Sequence, residues 1–340
     1  MNIKTLFDNN EGLGAPVRHY LEETLPHSDV LVVSLFDLIS VSIDQLIETL
    51  KIRNFDRIIF HCSHHSFYRF TEYHARLCEV FGPGRVIAIT GNGIYHGSTE
   101  SNLVYFPYYW YNALPGPQKE EFIDPWIFDQ DLIVKSRLYP ASCLNNRYSM
   151  HRLVLFDMIY QRDYFNQLIY SLNEIKDESP LGSVESSLIS DIKFRYQGIL
   201  PLFLDRNSAN WGTNLLGINH PANTESYLNI VTENSWDEPF VSEKTFKPIA
   251  CGQFFLLLSG CGTVELVRKL GFDVFDDYFD HSYDQELDLN TRIQLVVENL
   301  DRWMGMNHEK IWSETLHRRM SNARRFFDLD LTNNPFNGII

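Results

Sequence analysis

The sequence predicts an α/β protein made of two parallel-sheet halves, and three observations predict it. Short β-branched apolar runs alternate with segments whose apolar residues recur at three- and four-residue spacing, which is the pattern of βαβ units. Polar, proline-bearing sequence at 112–125, "NALPGPQKEEFIDP", interrupts the series once, after which it resumes. The chain of 340 residues also exceeds the ~100–200 residues of a typical domain.

Taken in order, "DVLVVSLFD" (29–37), "DRIIFHC" (56–62), "RVIAIT" (85–90) and "LVYFPYYWY" (103–111) read as strands. Between them "SIDQLIETLKI" and "FYRFTEYHARLCEVFG" read as helices. Beyond the linker, "RLYPASCLNN" reads as a strand, "SMHRLVLFDMIY" as a helix, "YLNIVTE" and "QFFLLLS" as strands and "GTVELVRKLGF" as a helix. These are two Rossmann-like halves facing a cleft, and in such sheets ligands bind beyond the carboxyl ends of the strands. The expected boundaries are 1–125, 126–289 and a C-terminal helical tail at 290–340, packed on the body. In that tail Ile293, Val296, Leu300 and Trp303 share a helical face, while Arg318, Arg319, Arg324 and Arg325 read as a solvated one.

A hydrophobic content of 44% with 14% aromatic residues implies packed cores and excludes a disordered chain. The formal net charge of −15 argues against a general electrostatic grip on nucleic acid or acidic membrane. Five cysteines without C-x-x-C spacing suggest reduced, buried thiols. No signal-peptide core and no membrane-span-length apolar run is present, so a cytoplasmic location without a membrane span is expected.

The chemistry concentrates in two stretches. In "VTENSWDEPFVSEKTFKPIACGQFFLLLSG" (231–260), Ser242 is placed to cap a helix whose first turn contains Glu243 and Lys244. The N–H groups and positive dipole end of that turn favour an anion, and Lys244 adds a full charge, so the stretch reads as a nucleoside-diphosphate site. The bland alternative is an ordinary exposed helix start, although a lysine opposes the dipole there. Pro248 should kink the helix. In "CLNNRYSMHRL" (143–153), a strand end at Asn145–Asn146–Arg147 leads into a helix carrying His151 and Arg152. Arg147 or Arg152 would meet Lys244 across one diphosphate.

Together the two stretches resemble the α1,3-fucosyltransferase family. That family has an arginine-bearing turn after a strand and, later, E-N followed by an aromatic-Val-Thr-E-K; the matching residues are Glu233–Asn234, Phe240–Val241–Ser242 and Glu243–Lys244. The resemblance implies a GT-B-like fold, with residues 1–125 on the acceptor side and 126–289 binding the nucleotide-sugar. It also implies that Lys244 and Arg147 contact the donor diphosphate, Glu243 holds ribose or sugar hydroxyls, and Asn234 and Phe240 line the nucleotide pocket. Two cations on a departing nucleoside diphosphate supply much of what a metal would, each charge-assisted hydrogen bond being worth roughly 1.5–3 kcal/mol. No cofactor or metal is therefore expected beyond the nucleotide-sugar itself.

One departure matters. Where the family carries T-G-E-N, with the glutamate as base, this sequence reads Thr90–Gly91–Asn92–Gly93. Asn92 cannot take up a proton as a carboxylate can. Glu100, ahead of His96 in the same loop, is the candidate replacement; a retaining mechanism or a loss of catalysis are the alternatives. Weaker patterns are the histidines of "HCSHHSF", read as a polar loop, and Asp276–Asp277 with Asp280 and Asp284, read as a capped surface segment without metal. The activity expected is sugar transfer to a hydroxyl on a glycan, small molecule, protein or hydroxylated DNA base. A catalytically inactive nucleotide-sugar-binding or assembly protein is the alternative.

Overall fold

A computed structural model describes residues 2–5, 29–34, 42–53, 55–62, 70–90, 103–105, 126–145, 149–172, 190–192, 194–200, 202–203, 218 and 220–328. They fall into two compact units, one within Met1–Pro125 and the other within Trp126–Asp328.

The first unit holds an all-parallel sheet of five strands, β1 (Asn2–Thr5), β2 (Asp29–Ser34), β3 (Arg57–Cys62), β4 (Val86–Thr90) and β5 (Leu103–Tyr105), side by side in chain order. Val30 to Val33 on β2 and Val86 to Thr90 on β4 are all buried, which is why these strands read as continuous apolar runs rather than alternating ones. Two helices accompany them, α1 (Ile43–Lys51) and α2 (Phe70–Phe81). A capping box starts α1: the Gln45 backbone N–H donates to the Ser42 hydroxyl at 3.3 Å, and the Ser42 N–H donates to Gln45 Oε1 at 3.0 Å. Leu46 and Leu50 of α1 and Leu77 of α2 then pack with Leu31, Ile58 and Phe60 of the sheet.

The second unit contains β6 (Tyr139–Asn145), β7 (Ile169–Leu172), β8 (Leu202–Phe203), β9 (Ser226–Thr232) and β10 (Phe254–Leu258). Their order across the sheet is β10-β9-β6-β7-β8, parallel except for the edge pair β7–β8. Among the described residues of this unit are helices α3 (Gln130–Val134), α4 (Met150–Tyr160), α5 (Pro221–Thr224), α6 (Glu243–Ala250), α7 (Thr263–Lys269), α8 (Leu289–Met304), α9 (His308–Glu314) and α10 (Leu316–Phe327). From β6 the chain moves to β7 on one side, then returns to β9 on the other. The strand order therefore reverses between β6 and β9, and in open sheets of this kind ligands bind beyond the carboxyl ends of the strands at such a point.

Residues 290–328 of the stretch read as a helical tail packed on the body fall within this second unit. Trp303 is wholly buried and its indole N–H donates to the Pro140 carbonyl at 2.9 Å. Arg324 and Arg325 are exposed, as a solvated face requires, whereas Arg319 is not and corrects that reading. Arg319 is 1% exposed, lies 3.3 Å over the Trp312 ring, and donates to the carbonyls of Ile133, Gly252 and Trp312 at 2.7–3.0 Å. Arg318 pairs with Asp273 and Asp277, and Arg325 Nε donates to the Leu270 carbonyl at 2.6 Å. Asp280 caps its own turn through the Ser282 N–H, whereas Asp284 is buried and not a surface residue. Among the described residues no helix is long and apolar enough to cross a membrane, and no group of three His, Cys, Asp or Glu side chains is disposed to hold a metal ion.

Candidate functional site

At the reversal between β6 and β9 the two strand ends are tied by polar side chains rather than apolar ones. Thr232, the last residue of β9, donates its hydroxyl to Asn145 Oδ1 at the end of β6, and both residues are buried. Arg152 of α4 supports the same edge. Its guanidinium donates to Thr232 Oγ1 at 3.2 Å, to the Thr232 carbonyl at 2.9 Å, to the Glu233 carbonyl at 3.3 Å and to Asn234 Oδ1 at 3.2 Å. His151, completely buried, adds a bond from Nε2 to the Glu233 carbonyl at 2.9 Å. A carbonyl only accepts, so Nε2 carries the proton and Nδ1 faces the Ser149 hydroxyl at 3.1 Å. Burial, reinforced by the Arg152 charge, pushes this imidazole down to about 3, and it stays neutral at ordinary pH.

Ser242 caps α6 as its residue type predicts, accepting from the Lys244 N–H at 3.3 Å. The anion at this helix terminus is already part of the chain. Glu233, 0% exposed, accepts the Ser242 backbone N–H at 2.8 Å, the Ser242 hydroxyl at 2.6 Å and the Thr245 hydroxyl at 2.6 Å. A buried carboxylate survives only with such partners. Pro248 sits at the sixth position of α6 and the helix nevertheless runs on to Ala250.

Around that carboxylate lie two lysines and a second acid. Lys244 Nζ, its side chain 29% exposed, stands 3.1 Å from Glu243 Oε1, 3.2 Å from Ser242 Oγ and 4.0 Å from Glu233 Oε2. Lys247 follows Glu243 by four residues and so shares its helix face. Burial pushes the Lys247 ammonium down to about 8, against the pull of Glu243. For Glu243 burial alone would raise the carboxyl, but the charges of Lys244 and Lys247 outweigh it and hold it below its usual value. The cluster is a compact set of alternating charges, partly exposed at the Lys244 side chain.

The structure brings Asn234, Glu243, Lys244 and Arg152 to this edge, though in different roles. Asn234 is exposed, Lys244 is partly exposed, and Glu243 turns to the lysines. Arg152 is 4% exposed and braces the end of β9. Phe240 is 1% exposed, and its backbone N–H faces the Thr263 hydroxyl at 3.4 Å. Arg147, Asn92, His96 and Glu100 lie outside the described residues, as do His64 and His65. Sequence reasoning missed the role of Glu233: it saw the residue as half of an E-N pair, while its partners Ser242 and Thr245 stand nine and twelve residues on.

Fold and site thus define an α/β protein with a polar, lysine-bearing cluster where its second sheet reverses. No protein-family model matches the chain, nor does any curated protein. Among solved structures, a crystal structure of an alpha1,3-fucosyltransferase aligns over 96% of this chain and 92% of its own, at 10% sequence identity and a TM-score of 0.42. That degree of likeness assigns no function to this chain.

Proposed function

We propose that the protein is a glycosyltransferase that binds a nucleotide-sugar at the carboxyl edge of β6 and β9 and transfers its sugar to an acceptor hydroxyl. The observation that carries this reading is Lys244: a part-exposed ammonium on the first turn of a helix that starts where the strand order reverses. An anionic diphosphate is the ligand such a group suits. Because Glu233 already fills the helix terminus, the attraction comes from the lysine rather than from free N–H groups. Binding exchanges the Glu243 partner of Lys244 for a phosphate oxygen, and the developing charge on the departing nucleoside diphosphate strengthens that contact. Arg147 is proposed as the second cation, and Glu243, once released, as acceptor for ribose or sugar hydroxyls. No metal is invoked. Acceptor classes remain those named above, with Glu100 and then His96 proposed as base.

A second reading, nucleotide-sugar binding without turnover, is favoured by Asn92 standing where the resemblance leads one to expect an acid. Two measurements separate these outcomes. Wild type and Lys244→Ala are heated with GDP-, UDP-, CMP- and dTDP-linked sugars; ligand at ~100 times its Kd stabilises the fold by about 2.7 kcal/mol, which Lys244→Ala should abolish. Release of free nucleoside diphosphate from the stabilising sugar nucleotide then marks an enzyme, and stabilisation without release marks a binder. Absence of stabilisation by every donor would sink both.

A further inference from the structure

Glu233 has a second consequence. By holding the Ser242 N–H at 2.8 Å its side chain draws together the two ends of 233–242, the segment that leaves β9 and returns as α6, and so makes it a closed loop. Three ties hold this loop from behind. Arg292 of α8 donates from Nη1 to the Trp236 carbonyl at 2.8 Å and to the Ser259 carbonyl at 2.6 Å. The Ser259 hydroxyl lies 3.1 Å from the Ser235 carbonyl and 3.2 Å from that of Phe240. Gly260 lies so close to the Glu238 backbone that no Cβ fits between them. With Phe240 plugging its interior, the loop is fixed at both ends and along its back.

The loop turns three side chains outward: Asn234, Trp236 and Asp237. Asn234 Oδ1 is held by Arg152 Nη2 at 3.2 Å, which fixes the amide and leaves its N–H pair as donors. Asp237 Oδ1 accepts the Ser235 hydroxyl at 2.6 Å, which fixes the carboxylate and leaves Oδ2 as acceptor. Trp236 is 39% exposed, whereas Trp126, Trp303 and Trp312 are exposed by 4% or less. A flat ring on an immobilised backbone loses little freedom when a ligand covers it.

We propose that the Trp236 indole is the platform on which the base of a nucleoside diphosphate stacks, with the Asn234 amide and Asp237 carboxylate meeting the donors and acceptors of its edge. The assignment rests on the reading that Lys244 takes the diphosphate. A heterocyclic base offers both what the indole matches, a π face, and what the rim matches, a mixed donor and acceptor edge.

Calorimetric titration of UDP, GDP, ADP, CDP and inorganic pyrophosphate into wild type, Trp236→Ala, Trp236→Phe and Lys244→Ala tests it. The expected result is binding of at least one nucleoside diphosphate by wild type, a roughly tenfold loss in Trp236→Ala, near-complete retention in Trp236→Phe, and pyrophosphate binding unchanged in both. Unaltered nucleoside diphosphate affinity in Trp236→Ala overturns the stacking assignment. So does an equal loss for pyrophosphate, which would mean the loop had merely been disturbed. So does a loss confined to nucleotide-sugars, which would place the sugar on the ring. If wild type binds no probe, or Lys244→Ala binds all of them as wild type does, the diphosphate site itself fails, and the stacking assignment with it.

Discussion

Two helices of the second unit are each met at their start by a buried acid, and they differ in the charge that stands beside it. α6 follows β9 and is met by the buried carboxylate of Glu233; α7 follows β10 and is met by the buried carboxylate of Asp284, which accepts the Val264 N–H at 2.9 Å and the Glu265 N–H at 3.2 Å. At α7 nothing more is built: its first turn reads Thr-Val-Glu, without a cation, and burial raises the Asp284 carboxyl above its usual range. At α6 the first turn reads Glu-Lys-Thr, and Lys247 follows one turn later. A buried acid at a helix start is therefore a structural device of this fold. Lys244 is what α6 adds to it at that end, and stability alone does not call for it, because the dipole opposes a cation there.

Breaking each clamp sharpens the contrast. Glu233→Ala leaves the Ser242 N–H and two hydroxyls without their acceptor beside two lysines, and a loss of roughly 3–5 kcal/mol in urea unfolding is expected. Asp284→Ala removes a cap only, so about 2 kcal/mol is expected, with nucleotide affinity unchanged. Equal losses, or a nucleotide effect from Asp284→Ala, would erase the distinction between the two ends. Gly260→Ala pushes against the Glu238 backbone and should cost about 1–3 kcal/mol; faster amide exchange is expected across 233–242 and not at α7.

His151 supplies a pH test of the α6 side. Its folded pKa, about 3, lies below the ordinary 6.5. As pH falls through that interval the unfolded chain takes up a proton that the folded one refuses, so the contribution is whole above about 6.5 and is lost toward about 3. His151→Gln keeps an N–H for the Glu233 carbonyl and cannot titrate. Its melting temperature should fall less steeply than that of wild type across this window; parallel curves would contradict a neutral buried imidazole. The smallest stability change belongs to Lys244→Ala, below about 1 kcal/mol for a part-exposed pair, while bound nucleotide is lost.

Much of this organisation was legible in the residues. Strands such as β2, β4 and β10 are buried on both faces and so appear as unbroken apolar runs, and Ser42 and Ser242 announce the starts of α1 and α6 through their capping chemistry. β1, "NIKT", and β7, "IYSL", are too short and mixed to stand out, and the two-residue β8 has no pattern at all. The Lys244 position was visible because a cation at a helix start is anomalous. What filled the helix terminus was not visible, since the Glu233 contact spans a loop with no period. Arg319 shows the same limit. Met320, Ala323 and Phe326 form a buried helical stripe, and that an arginine shares the buried side depends on carbonyls 67 and 186 residues away.

Those distances have a consequence for how the chain is made. The indole N–H of Trp303 reaches back 163 residues to Pro140, that of Trp312 reaches 177 to Lys135, and Arg319 reaches 186 to Ile133. During synthesis the segment 133–140 must wait for nearly the whole of the second unit to emerge before these bonds can close. At about 5–20 residues per second that is a delay on the order of ten seconds or more. Chains ending before α10 should remain bound to chaperones or precipitate, because their last partners have never been translated.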